Sequence, residues 1–122
     1  MCKKILLVED DPLMMEVMAY ILSSRGYEVY TTANGNEVFN QIRINHPDLV
    51  IVDTILPGID SLEICQLIKL NRATRNLRVI MCSSEDDATE KIMEHKGSPD
   101  DVLEKPFDIN SLIQKVAHRL AA

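Results

Sequence analysis

Hydrophobic residues occur along the chain in short apolar runs that are separated by longer segments of mixed polarity. Runs of this length, bounded by turn residues, are typical of strands that are buried on both faces of a parallel sheet. They predict five strands, over residues 5–8, 28–32, 49–52, 79–82 and 102–103. The second run is more polar than the first, which predicts a position near an edge of the sheet.

The segments between these runs carry apolar residues at helical spacing and predict five helices. Asp11 followed by Pro12 is typical of the start of the first helix, and Gly26 is typical of its end. Asp108 is expected to cap the last helix. The fourth helix, over residues 87–96, has few apolar anchors and is expected to be the least stable element.

Five strand–helix units predict an α/β fold, a flavodoxin-like doubly wound parallel sheet of five strands with five helices. Right-handed crossovers favour the strand order 2-1-3-4-5. The whole chain, residues 1–122, is expected to form one domain. In this order the first and third strands are neighbours where the chain switches direction, and ligands bind at such points in open α/β sheets.

Composition and charge argue against several classes of protein. Hydrophobic residues make up 46% of the chain and charged residues 26%, which is typical of a globular domain. The formal net charge of -6 argues against direct binding of nucleic acid. No apolar run has the length of a membrane span or a signal peptide. The three cysteines, Cys2, Cys65 and Cys82, lack metal-ligand spacing, which favours a reduced, cytoplasmic setting.

Polar side chains with complementary chemistry follow four of the five strands. Glu9 and Asp10 follow the first strand, Asp53 the third, Ser83 the fourth and Lys105 the fifth. Because the carboxyl ends of parallel strands meet at one edge of a sheet, these side chains are expected to face one another. Carboxylates about 5 Å apart repel each other by ~3 kcal/mol at an effective dielectric near 20, so such a cluster favours a bound cation. Oxygen ligands without histidine or thiol favour Mg²⁺ or Mn²⁺.

A carboxylate beside such a metal can act as a nucleophile and form an aspartyl phosphate. A neighbouring lysine and hydroxyl would bind the phosphoryl oxygens, so the pattern favours phosphoryl transfer to Asp53. Each residue taken singly also has a structural interpretation. Asp11 can simply cap a helix, Ser84 with Asp87 resembles a capping box, and Lys105 can belong to an ordinary loop. Acids, a hydroxyl and a lysine that together follow four separate strands nevertheless favour a functional site over these structural roles.

These motifs together resemble the response-regulator receiver domains of two-component signalling. The resemblance covers the whole chain, from KKILLVEDD through VDTILPGID and MCSSED to LEKPF. It implies that Asp53 accepts a phosphoryl group from a sensor histidine kinase or phosphotransfer protein. Phosphorylation would then switch a partner-binding surface on the fourth helix, the fifth strand and the fifth helix. The downstream partner, a separate protein or an output domain, is not specified by the motifs.

The resemblance also implies a role for each residue of the site. Asp10 and Asp53 would ligate Mg²⁺ directly, Glu9 would do so through water, and the backbone carbonyl of Ile55 would be a further ligand. Mn²⁺ could replace Mg²⁺. The resemblance assigns the hydroxyl that moves towards the phosphoryl group to Ser83. It assigns the amine that pairs with this group to Lys105, whose peptide bond to the following proline would be cis.

Several positions depart from the usual pattern of the family. Val102 stands where Tyr or Phe is common, which favours signalling through the loop after Ser83 and the fourth helix. Ser61 replaces a common glycine and is expected to have little effect. Ile55 and Glu85 match positions that tune the lifetime of the phosphoryl group, and an apolar Ile55 predicts slow self-dephosphorylation.

Two other classes of protein would share parts of this pattern. A Mg²⁺-dependent phosphohydrolase with an aspartyl nucleophile generally needs a second acid two positions after the nucleophile, where this chain has Ile55. A flavodoxin-like cofactor binder needs hydroxyl or glycine amides after the first strand, where Glu9 and Asp10 would repel a phosphate. We therefore expect a signalling module and not a turnover enzyme. It would be either a single-domain regulator or a receiver cut from a longer protein, without direct contact to nucleic acid or membrane.

Overall fold

The apolar runs form five parallel strands at the centre of the molecule. The computed structural model describes residues 2–53, 60–83 and 96–121. The strands are β1 (Lys4–Val8), β2 (Glu28–Thr32), β3 (Leu49–Asp53), β4 (Arg78–Ser83) and β5 (Asp101–Glu104). Each predicted strand is confirmed. The bounds of β2 are as predicted, and each of the other four strands is one residue longer at one or both ends, because polar end residues still pair in the ladder.

Four α-helices lie within the described residues. They are α1 (Pro12–Ser24), α2 (Val38–Asn45), α3 (Ser61–Leu70) and the C-terminal helix (Ile109–Leu120). Asp11 caps α1 by accepting hydrogen bonds from two amides of its first turn, and Asp108 caps the C-terminal helix in the same way through one amide. Both caps are as predicted. The predicted fourth helix lies almost entirely outside the described residues, and none of the described helices is long and apolar enough to span a membrane.

The strands form one sheet in the order β2-β1-β3-β4-β5, and every neighbouring pair is parallel. This is the predicted order, and β2, the more polar strand, lies at an edge. The register places Val8 beside Val52, so that Glu9 and Asp53 each stand one position further along neighbouring strands. The register of β3 and β4 pairs Asp53 with Cys82, directly before Ser83. The carboxyl ends that carry the candidate residues therefore meet at one edge.

Helices cover both faces of the sheet and bury its apolar side chains. Leu6 and Val8 of β1 face a cluster that includes residues of α2 and α3, whereas Ile5 and Leu7 face one that includes residues of α1 and the C-terminal helix. All five residues of β3 are buried. The apolar runs lack alternation because successive side chains point to opposite faces and both faces are covered.

Candidate functional site

Asp53 ends β3 with a carboxylate that is almost completely buried. The residue is only 4% exposed, and its Oδ2 accepts a hydrogen bond from Lys105 Nζ at 2.6 Å. Lys105 directly follows β5, and its backbone amide donates to the carbonyl of Ser83 at 2.7 Å. The peptide bond between Lys105 and Pro106 is cis, as the resemblance implies. The residue that follows β5 thus places its ammonium group beside the carboxylate at the end of β3.

Glu9 is the second buried acid at this edge and is 2% exposed. Its backbone amide donates to the carbonyl of Thr32 at 3.1 Å, which holds the residue against the end of β2. Its Oε1 accepts a hydrogen bond from the Asp11 amide at 3.3 Å. Its Oε2 lies 3.9 Å from Lys105 Nζ. One lysine is therefore shared by two buried carboxylates from neighbouring strands.

The two acids and the lysine shift one another's pKa values. The pKa of Glu9 is raised from 4.5 to about 7, chiefly by burial and also by the hydrogen bond and the charge of Asp53, whereas the charge of Lys105 opposes the shift. Burial lowers the pKa of Lys105, but hydrogen bonding to Asp53 and the charges of Asp53 and Glu9 outweigh it, so the net shift is upward. Lys105 therefore stays cationic at neutral pH, and a further cation beside the two acids would favour the ionised form of Glu9.

Two of the other predicted site residues, Asp10 and Ser83, also belong to this edge of the sheet, because Asp10 follows β1 and Ser83 ends β4. Asp10 is exposed on the loop after Glu9. Ser83 is completely buried at the end of β4, directly after the register partner of Asp53. Ile55 lies outside the described residues. Among residues 2–53, 60–83 and 96–121, no group of three or more His, Cys, Asp or Glu side chains is arranged to hold a metal ion.

One further contact of Asp53 is not anticipated by the sequence. Ser61, the first residue of α3, is 1% exposed, and its hydroxyl donates a hydrogen bond to the backbone carbonyl of Asp53. The sequence does show a hydroxyl residue at the start of a helix that follows β3 closely. It does not show that this hydroxyl donates its hydrogen bond to the carbonyl of Asp53.

The cysteines within the fold behave as small apolar residues. Cys65 on α3 and Cys82 on β4 are both buried. Burial raises the pKa of each thiol to about 12, so both remain neutral at physiological pH. Both cysteines therefore contribute to the core as small apolar side chains.

Comparison with known families decides what kind of domain carries this site. The family model of the response regulator receiver domain matches residues 5–117. The chain belongs to this family. The receiver domain is 28% identical over 120 residues to the DNA-binding response regulator MtrA of Mycolicibacterium smegmatis, a match that covers 98% of this chain and 51% of that protein. The chain therefore spans about half the length of this relative.

Solved structures of the same family have the same architecture. A response regulator of Chloroflexus aurantiacus J-10-fl is 34% identical, with a TM-score of 0.91 and full coverage of both chains. The receiver domain of the sensor histidine kinase PA1611 of Pseudomonas aeruginosa PAO1 is 25% identical, with a TM-score of 0.84 and full coverage of both chains. That protein has a magnesium ion coordinated in its active site cleft. Together these likenesses identify the chain as a receiver domain of two-component signalling.

Proposed function

We propose that this receiver domain is a phosphoacceptor module, in which Asp53 receives a phosphoryl group from a sensor histidine kinase or a phosphotransfer protein. The observation that carries the proposal is the buried Asp53 carboxylate, with Lys105 Nζ at 2.6 Å and Glu9 beside the same amine. A carboxylate in this position can act as a nucleophile, and the lysine can neutralise charge on the transferred group.

The proposed transfer is a displacement at phosphorus. A carboxylate oxygen of Asp53 forms a bond to phosphorus while the bond between phosphorus and the donor nitrogen breaks, and the donor imidazole keeps that electron pair. The product is an aspartyl phosphate whose phosphoryl oxygens lie within reach of Lys105. Ser83, at the end of β4, is the proposed hydroxyl that binds the phosphoryl group.

The proposed cofactor is Mg²⁺, with Mn²⁺ as a substitute. The donor set supports it, because the side chains of Glu9, Asp10 and Asp53 offer oxygen atoms only, and because Glu9 and Asp53 are both buried within reach of the same amine. Asp10 and Asp53 would bind directly, Glu9 through water, and the carbonyl of Ile55 would complete the protein ligands. When bound, the ion neutralises charge on the phosphoryl oxygens during transfer.

The proposed output is a change in partner binding on the predicted fourth helix, β5 and the C-terminal helix. A surface cavity of about 560 Å³ lies along β5 and the C-terminal helix. Its lining includes Asp101, whose carboxylate pairs with Lys115 at 2.9 Å and with Arg119 at 3.4 Å. Phosphorylation would shift the population of conformations at this surface, and a downstream protein or an output domain would bind one conformation in preference to the other.

The wider setting is also part of the proposal. The domain would act in the cytoplasm, would not bind nucleic acid or membrane itself, and would promote its own phosphorylation and dephosphorylation without turning over a separate substrate. The net charge of -6 supports the absence of direct nucleic-acid contact.

The experiment that tests the proposal is intact-protein mass spectrometry after incubation with acetyl phosphate and Mg²⁺. We expect one added phosphoryl group in the wild type, none in Asp53→Ala, and none in the wild type when the metal is chelated. Asp48→Ala is the matched control, because Asp48 is exposed and directly precedes β3 at its opposite end. Equal modification of the wild type and Asp53→Ala, or no modification of either, would refute the assignment of Asp53.

A further inference from the structure

Ser61 is a buried hydroxyl residue that contacts the main chain of the proposed phosphoacceptor. Its side chain points away from solvent, with 1% of the residue exposed, and donates to the backbone carbonyl of Asp53 eight positions earlier. A buried hydroxyl without a partner would be costly, so the bond stabilises this orientation of the serine. The first residue of α3 is thereby joined to the last residue of β3.

The donor is carried by a rigid part of the fold. Asp60 caps α3, because its Oδ1 accepts from the Leu62 amide at 2.9 Å and its carbonyl accepts from the Ile64 amide at 3.1 Å. Ile64 and Cys65, one turn further along, are fully buried in the core between α3 and the sheet. The Ser61 hydroxyl, at the start of this helix, therefore has little freedom to move. Its hydrogen bond in turn restricts the carbonyl of Asp53.

The acceptor is the backbone carbonyl of Asp53, the residue whose carboxylate is the proposed nucleophile. Asp53 pairs with Cys82 in the ladder of β3 and β4, and this pairing holds one side of its backbone. The bond from Ser61 holds the carbonyl at the point where the chain leaves the sheet. Backbone orientation then sets the position of a carboxylate that must stay within reach of Lys105 and of an in-line phosphoryl donor.

Contrary to the expectation from the sequence that Ser61 has little effect, we infer that Ser61 is a positioning residue for phosphoryl transfer, which acts through the backbone carbonyl of Asp53. The inference rests on the proposed function and adds a residue to it. Ser61 does not touch the phosphoryl group. It holds the peptide group of the nucleophile in the orientation that transfer requires, and its removal slows the chemical step more than it affects the folding of the domain.

The test compares the rates at which acetyl phosphate modifies the wild type, Ser61→Ala and Ser61→Gly at saturating Mg²⁺. We expect each variant to react about fivefold more slowly, as expected for loss of one buried hydrogen bond in the reactive arrangement. Thr74→Val is the matched control, because Thr74 Oγ1 donates to the Ile68 carbonyl at 2.7 Å beyond the other end of α3. That variant loses a bond of the same type and should react at the wild-type rate.

A second readout separates positioning from general destabilisation. The ¹³C shift of the Asp53 carbonyl should change in both Ser61 variants and stay unchanged in Thr74→Val, while urea unfolding measures the stability of all three. Rates in the Ser61 variants equal to the wild type, or equally reduced in Thr74→Val, would overturn the inference and leave the proposed function intact. Absence of modification in the wild type would instead refute the proposed function, and the inference with it.

Discussion

The ammonium group of Lys105 lies 2.6 Å from Asp53 Oδ2, and these two side chains are 24% and 5% exposed. They come from the ends of two strands that are not neighbours, since β4 lies between β3 and β5. Charges that are buried to this extent depend on each other, because each would be costly to bury alone. The same amine also faces Glu9, so its loss would remove one positive charge from both acids.

Removal of this amine should destabilise the domain. We expect Lys105→Met to lower the free energy of unfolding by about 1–2 kcal/mol at pH 7 in metal-free buffer, because two buried carboxylates lose their counter-charge. Urea denaturation measures the change. Lys115→Met is the control, since its pair with Asp101 at 2.9 Å is more exposed, and it should cost less than about 1 kcal/mol. Equal costs in the two variants would contradict the dependence of the buried acids on Lys105.

Glu9 should make stability fall as pH rises. Burial raises its pKa from 4.5 to about 7, so the folded state binds a proton more tightly than the unfolded state. Its contribution is fully present below pH 4.5 and is lost as pH rises to about 7, by up to about 3 kcal/mol. The wild type should therefore lose stability relative to Glu9→Gln as the pH rises from 4.5 to about 7. Urea unfolding in the presence of EDTA measures this difference.

Addition of Mg²⁺ at pH 8 should restore part of that stability to the wild type, because a bound cation favours the ionised Glu9. Glu9→Gln should gain less from the metal. Glu16→Gln on α1 is the control, because Glu16 is exposed, and this variant should follow the wild type at every pH. A wild type and a Glu9→Gln variant with parallel pH profiles would show that Glu9 titrates normally.

Two glycines with positive φ should respond differently to the same substitution. Gly97 has φ +80, and an added Cβ would lie 3.0 Å from the Cα of Gln66 and 3.3 Å from Leu70 Cγ. Gly26 has φ +90, and its added Cβ would meet nothing within 4 Å. We expect Gly26→Ala to cost about 1 kcal/mol from the backbone alone, and Gly97→Ala to cost about 2–3 kcal/mol because the helix backbone must also shift.

The comparison of the glycine variants uses urea midpoints at constant slope. If Gly97→Ala is no more destabilising than Gly26→Ala, the segment after residue 96 does not pack against α3 as closely as the structure indicates.

Ile55 should lengthen the life of the aspartyl phosphate. An apolar side chain at this position cannot orient an attacking water by hydrogen bonding, so the wild type is expected to keep its phosphoryl group for minutes or longer. Ile55→Asn should lose it faster, and Ile55→Val, which stays apolar, is the control. The decay of the phosphorylated mass after removal of acetyl phosphate measures each lifetime. Equal decay in all three proteins would contradict this role of Ile55.

The sequence alone was sufficient to predict the fold. Strand positions, the order 2-1-3-4-5, the edge position of β2 and the caps Asp11 and Asp108 are all confirmed. These features were predictable because burial on both faces of a sheet leaves an unbroken apolar run, and because a cap is a local arrangement of a few neighbouring residues. The predicted fourth helix and Ile55 lie outside the described residues and stay predictions.

Strand order also predicted which polar residues share an edge, but not which atoms meet. The sharing of Lys105 between Asp53 and Glu9, and the bond from Ser61 to the Asp53 carbonyl, join residues that are far apart along the chain or belong to different elements. Glu9 is buried while its neighbour Asp10 is exposed, although the two acids are chemically alike. Such distances depend on how strands and helices pack in three dimensions, so only the tertiary structure decided them.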